Sequence, residues 1–163
     1  MNEAKFNTVI RNSIIQHNGY AYKISDVGGG KQQRRPFDGF GVHYDGLPLY
    51  WEAKRMKGLQ SFNVKEIFEG SRGHQLETMQ SMKDLLNVKA HFWVILLCYI
   101  PRNSRVYTFT YEALQWWYNN THEDAGIKKN ILEKLPHTEI NKQLINSFHL
   151  ITDKELEITE ETV

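Results

Sequence analysis

Pro36-Phe37-Asp38-Gly39-Phe40 and Tyr50-Trp51-Glu52-Ala53-Lys54 are the two stretches whose reading decides the fold. Each places an acid among bulky apolar residues, and Asp45-Gly46 lies between them. An Asp-Gly pair between apolar segments marks a hairpin turn. Pro36–Val42 and Leu49–Lys54 are therefore expected to be its strands. Loop length sets the register. A three-residue loop, Tyr44-Asp45-Gly46, with Gly46 in the left-handed conformation, puts Asp38 opposite Glu52, with Cβ atoms roughly 5 Å apart. A two-residue Asp-Gly turn pairs Glu52 with Gly39 instead and sends the carboxylates to opposite faces.

The chemistry favours the first register. Like charges directly opposite on a sheet are destabilising unless something neutralises them. Phe37, Phe40, Tyr50 and Trp51 imply a buried hairpin, where unpaired carboxylates are costly. A hard divalent cation resolves the conflict: magnesium takes oxygen ligands at about 2.0–2.1 Å and keeps waters for a phosphate substrate. Lys54 falls on the same strand face as Glu52, where an ammonium can stabilise developing negative charge or position a water. The Ala53 carbonyl is a natural extra metal ligand between them. An acid, an acid and a lysine on adjacent strands suit metal-assisted phosphodiester hydrolysis, with Mg2+ as cofactor and Mn2+ able to substitute.

Outward from the hairpin, residues 1–18 read as a helix carrying Phe6, Ile10, Ser13, Ile14 and His17 on one stripe, stopped at Asn18-Gly19. Glu3 lies on that stripe and is expected to point inward. Tyr20–Ile24 is a short strand and Asp26–Arg35 a polar, glycine-rich loop. Arg55–Glu69 reads as irregular. Ser71 is an N-cap signal for a helix to Asn87, with Gln75, Met79, Met82 and Leu86 on one face. Phe92–Ile100 is an almost unbroken apolar run, the mark of a central strand covered on both faces. Arg105–Phe109 is its hairpin partner, Tyr111–Tyr118 an aromatic helix, and two helical pieces are expected at Ile127–Leu135 and Glu139–Phe148 before an acidic tail. The fold class is α/β, a mixed sheet flanked by helices, with a core over 1–118 and a helical extension of the same domain over 119–163.

The length of 163 residues suits one compact domain. A single cysteine, Cys98, inside an apolar run excludes an internal disulfide and suggests a reducing compartment. No secretory or membrane-spanning segment is evident, so a soluble, cytoplasmic, nucleoid-associated protein is expected. The net charge of +1 is uneven: residues 1–90 hold 13 Lys/Arg against 9 Asp/Glu (+4), and residues 91–163 hold 7 against 10 (−3). The basic half carries Lys31, Arg34, Arg35, Arg55, Lys57 and Arg72, which are expected to rim the acids and grip phosphates without reading sequence. His43, near the turn, is expected to be exposed.

The two quoted stretches resemble the PD-(D/E)xK nuclease signature, with P-x-D over Pro36 to Asp38 and E-x-K over Glu52 to Lys54. Within that superfamily the chain resembles the Holliday junction resolvases, archaeal-type and RecU-type. The resemblance covers residues 1–118. It implies a restriction-endonuclease-like fold, a magnesium-dependent endodeoxyribonuclease acting in DNA recombination and repair, and a homodimer on four-way DNA junctions. It further implies catalytic Asp38, Glu52, Lys54 and an assisting Glu3. Ser25 matches a DNA-contacting serine, and His74-Gln75 match an accessory pair at the start of a helix. The segment Asp26–Arg35 is much shorter than the stalk of RecU-type enzymes, which favours the compact archaeal-type form and is compatible with phage origin.

Two rival readings remain open at this point. One is another nuclease of the superfamily, of restriction or repair type, although the chain leaves no room for a large recognition domain. The other is a non-catalytic nucleic-acid-binding module, against which the intact acid–acid–lysine set argues.

Overall fold

A computed structural model describes residues 1–24, 37–65, 79–84, 89–121 and 126–141. Its centre is a six-stranded mixed sheet built from β1 (Tyr20–Lys23), β2 (Gly39–Val42), β3 (Pro48–Lys57), β5 (His91–Tyr99), β6 (Asn103–Thr110) and β8 (Thr138–Asn141). The strands lie side by side in the order β1-β2-β3-β5-β6-β8. Only β3 and β5 run parallel, and the other neighbours are antiparallel. Two short strands, β4 (Phe62–Asn63) and β7 (Gly126–Ile127), pair separately.

The sequence of β5 explains the layering. Phe92, Val94, Leu96 and Cys98 point to one face, and Trp93, Ile95 and Leu97 to the other, because successive strand residues alternate. The odd face meets helix α1 (Glu3–Gln16) through Phe6, Val9, Ile10 and Ile14. The even face meets helix α2 (Tyr111–Asn120) through Tyr111, Leu114 and Trp117. Met79, in helical residues 79–84, joins this second core. A strand covered twice has no solvent face, hence the unbroken apolar run. Cys98 is fully buried, and burial pushes its thiol up to about 12, which leaves it inert.

Local signals set most boundaries. Asn2 caps α1 by accepting from the Lys5 amide at 2.9 Å, and Asn18 ends it with φ of +63°. Thr110 caps α2 by accepting from the Ala113 amide.

Several expectations need correction. Arg55–Glu69 is not wholly irregular, since β3 runs on to Lys57 and β4 follows. Thr138–Asn141 is an edge strand rather than the start of a helix, because Ser104 and Val106 of β6 offered an open ladder. Gly126–Ile127 is extended too, and the helix after it, α3, is only Lys129–Leu132. Ile127, Leu132 and Leu135 fill the second core. Short apolar pieces of this kind carry no decisive periodicity, and tertiary pairing chose for them.

Candidate active site

The hairpin adopts the three-residue loop. The His43 amide donates to Leu47 O at 2.9 Å, the Gly46 amide donates to His43 O at 2.9 Å, and Gly46 has φ of +83°. The strands pair Gly39 with Trp51, Phe40 with Tyr50 and Gly41 with Leu49. One step further, the same register would set Asp38 opposite Glu52.

At that step the ladder gives way. The Asp38 amide donates to Trp51 O at 3.1 Å, although the register sets Trp51 opposite Gly39, while the Asp38 carbonyl accepts from the Ile24 amide at 2.9 Å. The Asp38 side chain takes over the vacated position, and its Oδ2 accepts from the Ala53 amide at 2.8 Å. The carboxylate thereby satisfies a donor that the departing strand would leave orphaned. Gly39 is required beside it: a Cβ there would sit 2.0 Å from the Trp51 ring. Trp51 in turn donates from Nε1 to Asn7 Oδ1 of α1 at 2.9 Å, in a buried contact. This bond holds the first turns of α1 against β3 and so brings Glu3 near Glu52.

Glu52 is 3% exposed. Lys54 Nζ donates to its Oε1 at 2.7 Å, but its Oε2 is buried with no hydrogen-bond partner among the described residues. Burial is the largest influence on Glu52, followed by the Asp38 charge, and Glu3 adds to both. Against the opposing pull of Lys54, the carboxyl rises from 4.5 to about 7. A buried carboxylate oxygen without a donor, acted on by two further acids, can be relieved by a proton or by a cation. The donor set is all oxygen, with Asp38 and Glu52 at its centre. That fits a hard divalent ion such as magnesium.

Asp38 lies against β3 through the Ala53 amide, Lys54 is paired with Glu52, and Asp38 and Glu3 act electrostatically on Glu52; Ala53, expected to offer its carbonyl to a metal, engages Asp38 through its amide. Arg55 and Lys57 do not join them. Strand alternation turns both to the opposite face, where the Arg55 guanidinium lies 5.2 Å from the centre of the Tyr99 ring. Ser25, Lys31, Arg34, Arg35, Arg72, His74 and Gln75 lie outside the described residues.

Sequence reasoning missed two features. Asn7 looked like one more polar residue of α1, and only its burial beside Trp51 reveals its part. His43 is not exposed but 6% accessible, packed edge-on to Trp93 and close to Asp45 and His91. The signal that could have found it was the period of two in β2, which puts His43 on the face of Gly39 and Gly41.

Compared with known proteins, the sequence matches no family model and no curated protein. Among the described residues no helix is long and apolar enough to cross a membrane.

Proposed function

We propose that this chain is a divalent-metal-dependent DNA endonuclease with a restriction-endonuclease-like core, acting as a Holliday junction resolvase. One observation carries the reading: the Glu52 carboxylate is buried against Asp38 with one oxygen unpartnered, beside a lysine on the same face. Such a group costs stability and is retained where a cation and a phosphate meet it. Asp38 and Glu52 would hold the ion, which would supply Lewis-acid polarisation of a phosphoryl oxygen and a lowered pKa of water. Ala53, through its amide, fixes the Asp38 carboxylate. Lys54, held by Glu52, sits where it can stabilise charge on the phosphate or position the attacking water. Glu3 adds a third acid from α1.

The test is cleavage of a four-way junction against a linear duplex of the same arms, with magnesium or with chelator. The expected result is magnesium-dependent, paired incision of the junction and little cutting of the duplex. Equal cutting of both substrates would favour a general nuclease, and no cutting of either would favour a binding module.

Resolution needs two symmetric cuts and each chain holds one acid–acid–lysine set, so the active species in this reading is a two-fold homodimer. Of the apolar residues that the sequence offers for an interface, Tyr111, Leu114, Trp117 and Ile140 are buried in the cores, and Leu144 and Phe148 lie outside the described residues. What supports a second copy instead is an exposed apolar strip of Tyr20, Tyr22, Phe40 and Val42 on β1 and β2. It begins two residues from Asp38 and lies along the sheet edge. Light scattering should give about twice the chain mass of 19.2 kDa. Phe40→Glu with Tyr22→Glu should return the monomer mass while leaving thermal unfolding cooperative. A wild-type protein that is monomeric at high micromolar concentration would refute the dimer.

A further inference from the structure

We infer that His43, Asp45 and His91 form a second metal site, for a borderline transition ion of the zinc type, at the far end of the hairpin from Asp38 and Glu52. Their ligand atoms all lie within 4.8 Å of one another. His43 Nδ1 is 3.1 Å from Asp45 Oδ1, and His91 Nε2 is 2.6 Å from Asp45 Oδ2. In a tetrahedral site with bonds of about 2.0–2.2 Å, neighbouring ligand atoms stand about 3.3 Å apart, so shifts of about an ångström would admit the ion. His43 lies five positions along the chain from Asp38, the two flanking the four residues of β2, or about 16 Å at about 3.3 Å per residue. The two sites cannot share a metal.

The donor chemistry differs as well. Asp38 and Glu52 offer oxygen alone, which suits magnesium. Two imidazoles and one carboxylate suit zinc and its neighbours, and three protein ligands leave a fourth position for water.

The surroundings are those of a prepared site. The Leu47 amide donates to Asp45 Oδ1 at 2.9 Å and fixes that carboxylate in the turn. The His43 ring is held between Tyr44, at 4.2 Å, and Trp93, at 5.3 Å. Such outer contacts orient ligands before a metal arrives. His43 is buried, and Asp45 is one-third exposed, which leaves a path for an ion.

Asp45 and His91 are 46 residues apart in sequence. Metal bound here would staple the tip of the hairpin, whose other end carries the acids, to the first residue of β5. A closure of that length removes freedom from the unfolded chain and stabilises the fold.

The experiment is zinc titration of the full chain carrying Asp38→Asn and Glu52→Gln, which silences the first site. Binding is followed by calorimetry and native mass spectrometry, and stability by thermal unfolding. The expected result is one zinc per chain and a rise in Tm. Adding Asp45→Asn, which keeps the acceptor for the Leu47 amide, or His91→Gln should weaken that binding at least tenfold and abolish the rise. Each variant should unfold cooperatively in chelator, which separates a lost ligand from a lost fold. Absence of zinc binding in the double variant would overturn the inference. So would binding that neither Asp45→Asn nor His91→Gln weakens. In either case the three side chains are a hydrogen-bonded clasp.

Discussion

Asp38→Asn and Glu52→Gln should each lower DNA cleavage by roughly 10³-fold, because several kcal/mol of charge stabilisation is removed and about 1.4 kcal/mol is a factor of ten. Both replacements keep the size and hydrogen-bonding reach of the side chain. In the first variant the new carboxamide still offers the Ala53 amide an oxygen at the position of Oδ2. In the second, Lys54 still finds an oxygen at the position of Oε1. Loss of cleavage should therefore come without loss of fold or of junction binding, which gel shift in calcium or chelator can report. Lys54→Ala should lower cleavage comparably yet keep the magnesium-induced rise in Tm, since the lysine holds no metal. An acid variant that cuts at near wild-type rate would remove Asp38 and Glu52 from the chemistry.

The second large effect is on stability and has the opposite direction. Glu52 titrates at about 7 in the fold against 4.5 for the free group. Between those values the folded chain keeps a proton that the unfolded chain has lost. The contribution of Glu52 to stability is thus fully present below pH 4.5 and is lost as pH rises through about 7. A displacement of that size corresponds to about 3 kcal/mol. Glu52→Gln, which carries no charge at any pH, should match wild type near pH 4.5 and exceed it by up to about 3 kcal/mol at pH 8. Chemical denaturation of both proteins across that range measures the difference directly and cancels the titrating groups not coupled to Glu52. Magnesium at pH 8 should close the gap by stabilising wild type alone. A difference that stays flat with pH would mean that Glu52 is not strained by its surroundings, and the case for a cation there would fall with it.

These two expectations pull against each other at one residue, as they do at a site kept for function rather than for stability. His43, Asp45 and His91 follow a different logic. There the carboxylate already has imidazole neighbours, and a metal would take the place of those contacts rather than neutralise opposed acids.

Much of this was legible along the chain. The run from Phe92 to Ile100 announced a strand covered on both faces, because alternation into two cores leaves no polar position. Asp45-Gly46 narrowed the hairpin to two registers, and the chemistry of the acids favoured the one found, in which Gly46 holds φ of +83° and from which a slip of one would have turned every side chain over. Period two then carried Glu52 and Lys54 to a common face. By itself, therefore, the sequence determined five of the six strands of the central sheet, the α/β class and the register that directs Asp38 toward Glu52. Tertiary structure decided what local pattern does not encode. Whether Thr138–Asn141 became helix or strand depended on the open edge of β6, a partner more than 30 residues away. Arg55 left the rim because β3 continued past Lys54, paired along its length with β5, and alternation then fixed its direction. Asn7 became the peg between α1 and β3 only when Trp51 came against it, and His43 became buried only when Trp93 and His91 arrived on β5. In each case the deciding contact joins residues far apart in sequence, where periodicity and capping carry no information and packing alone selects the outcome.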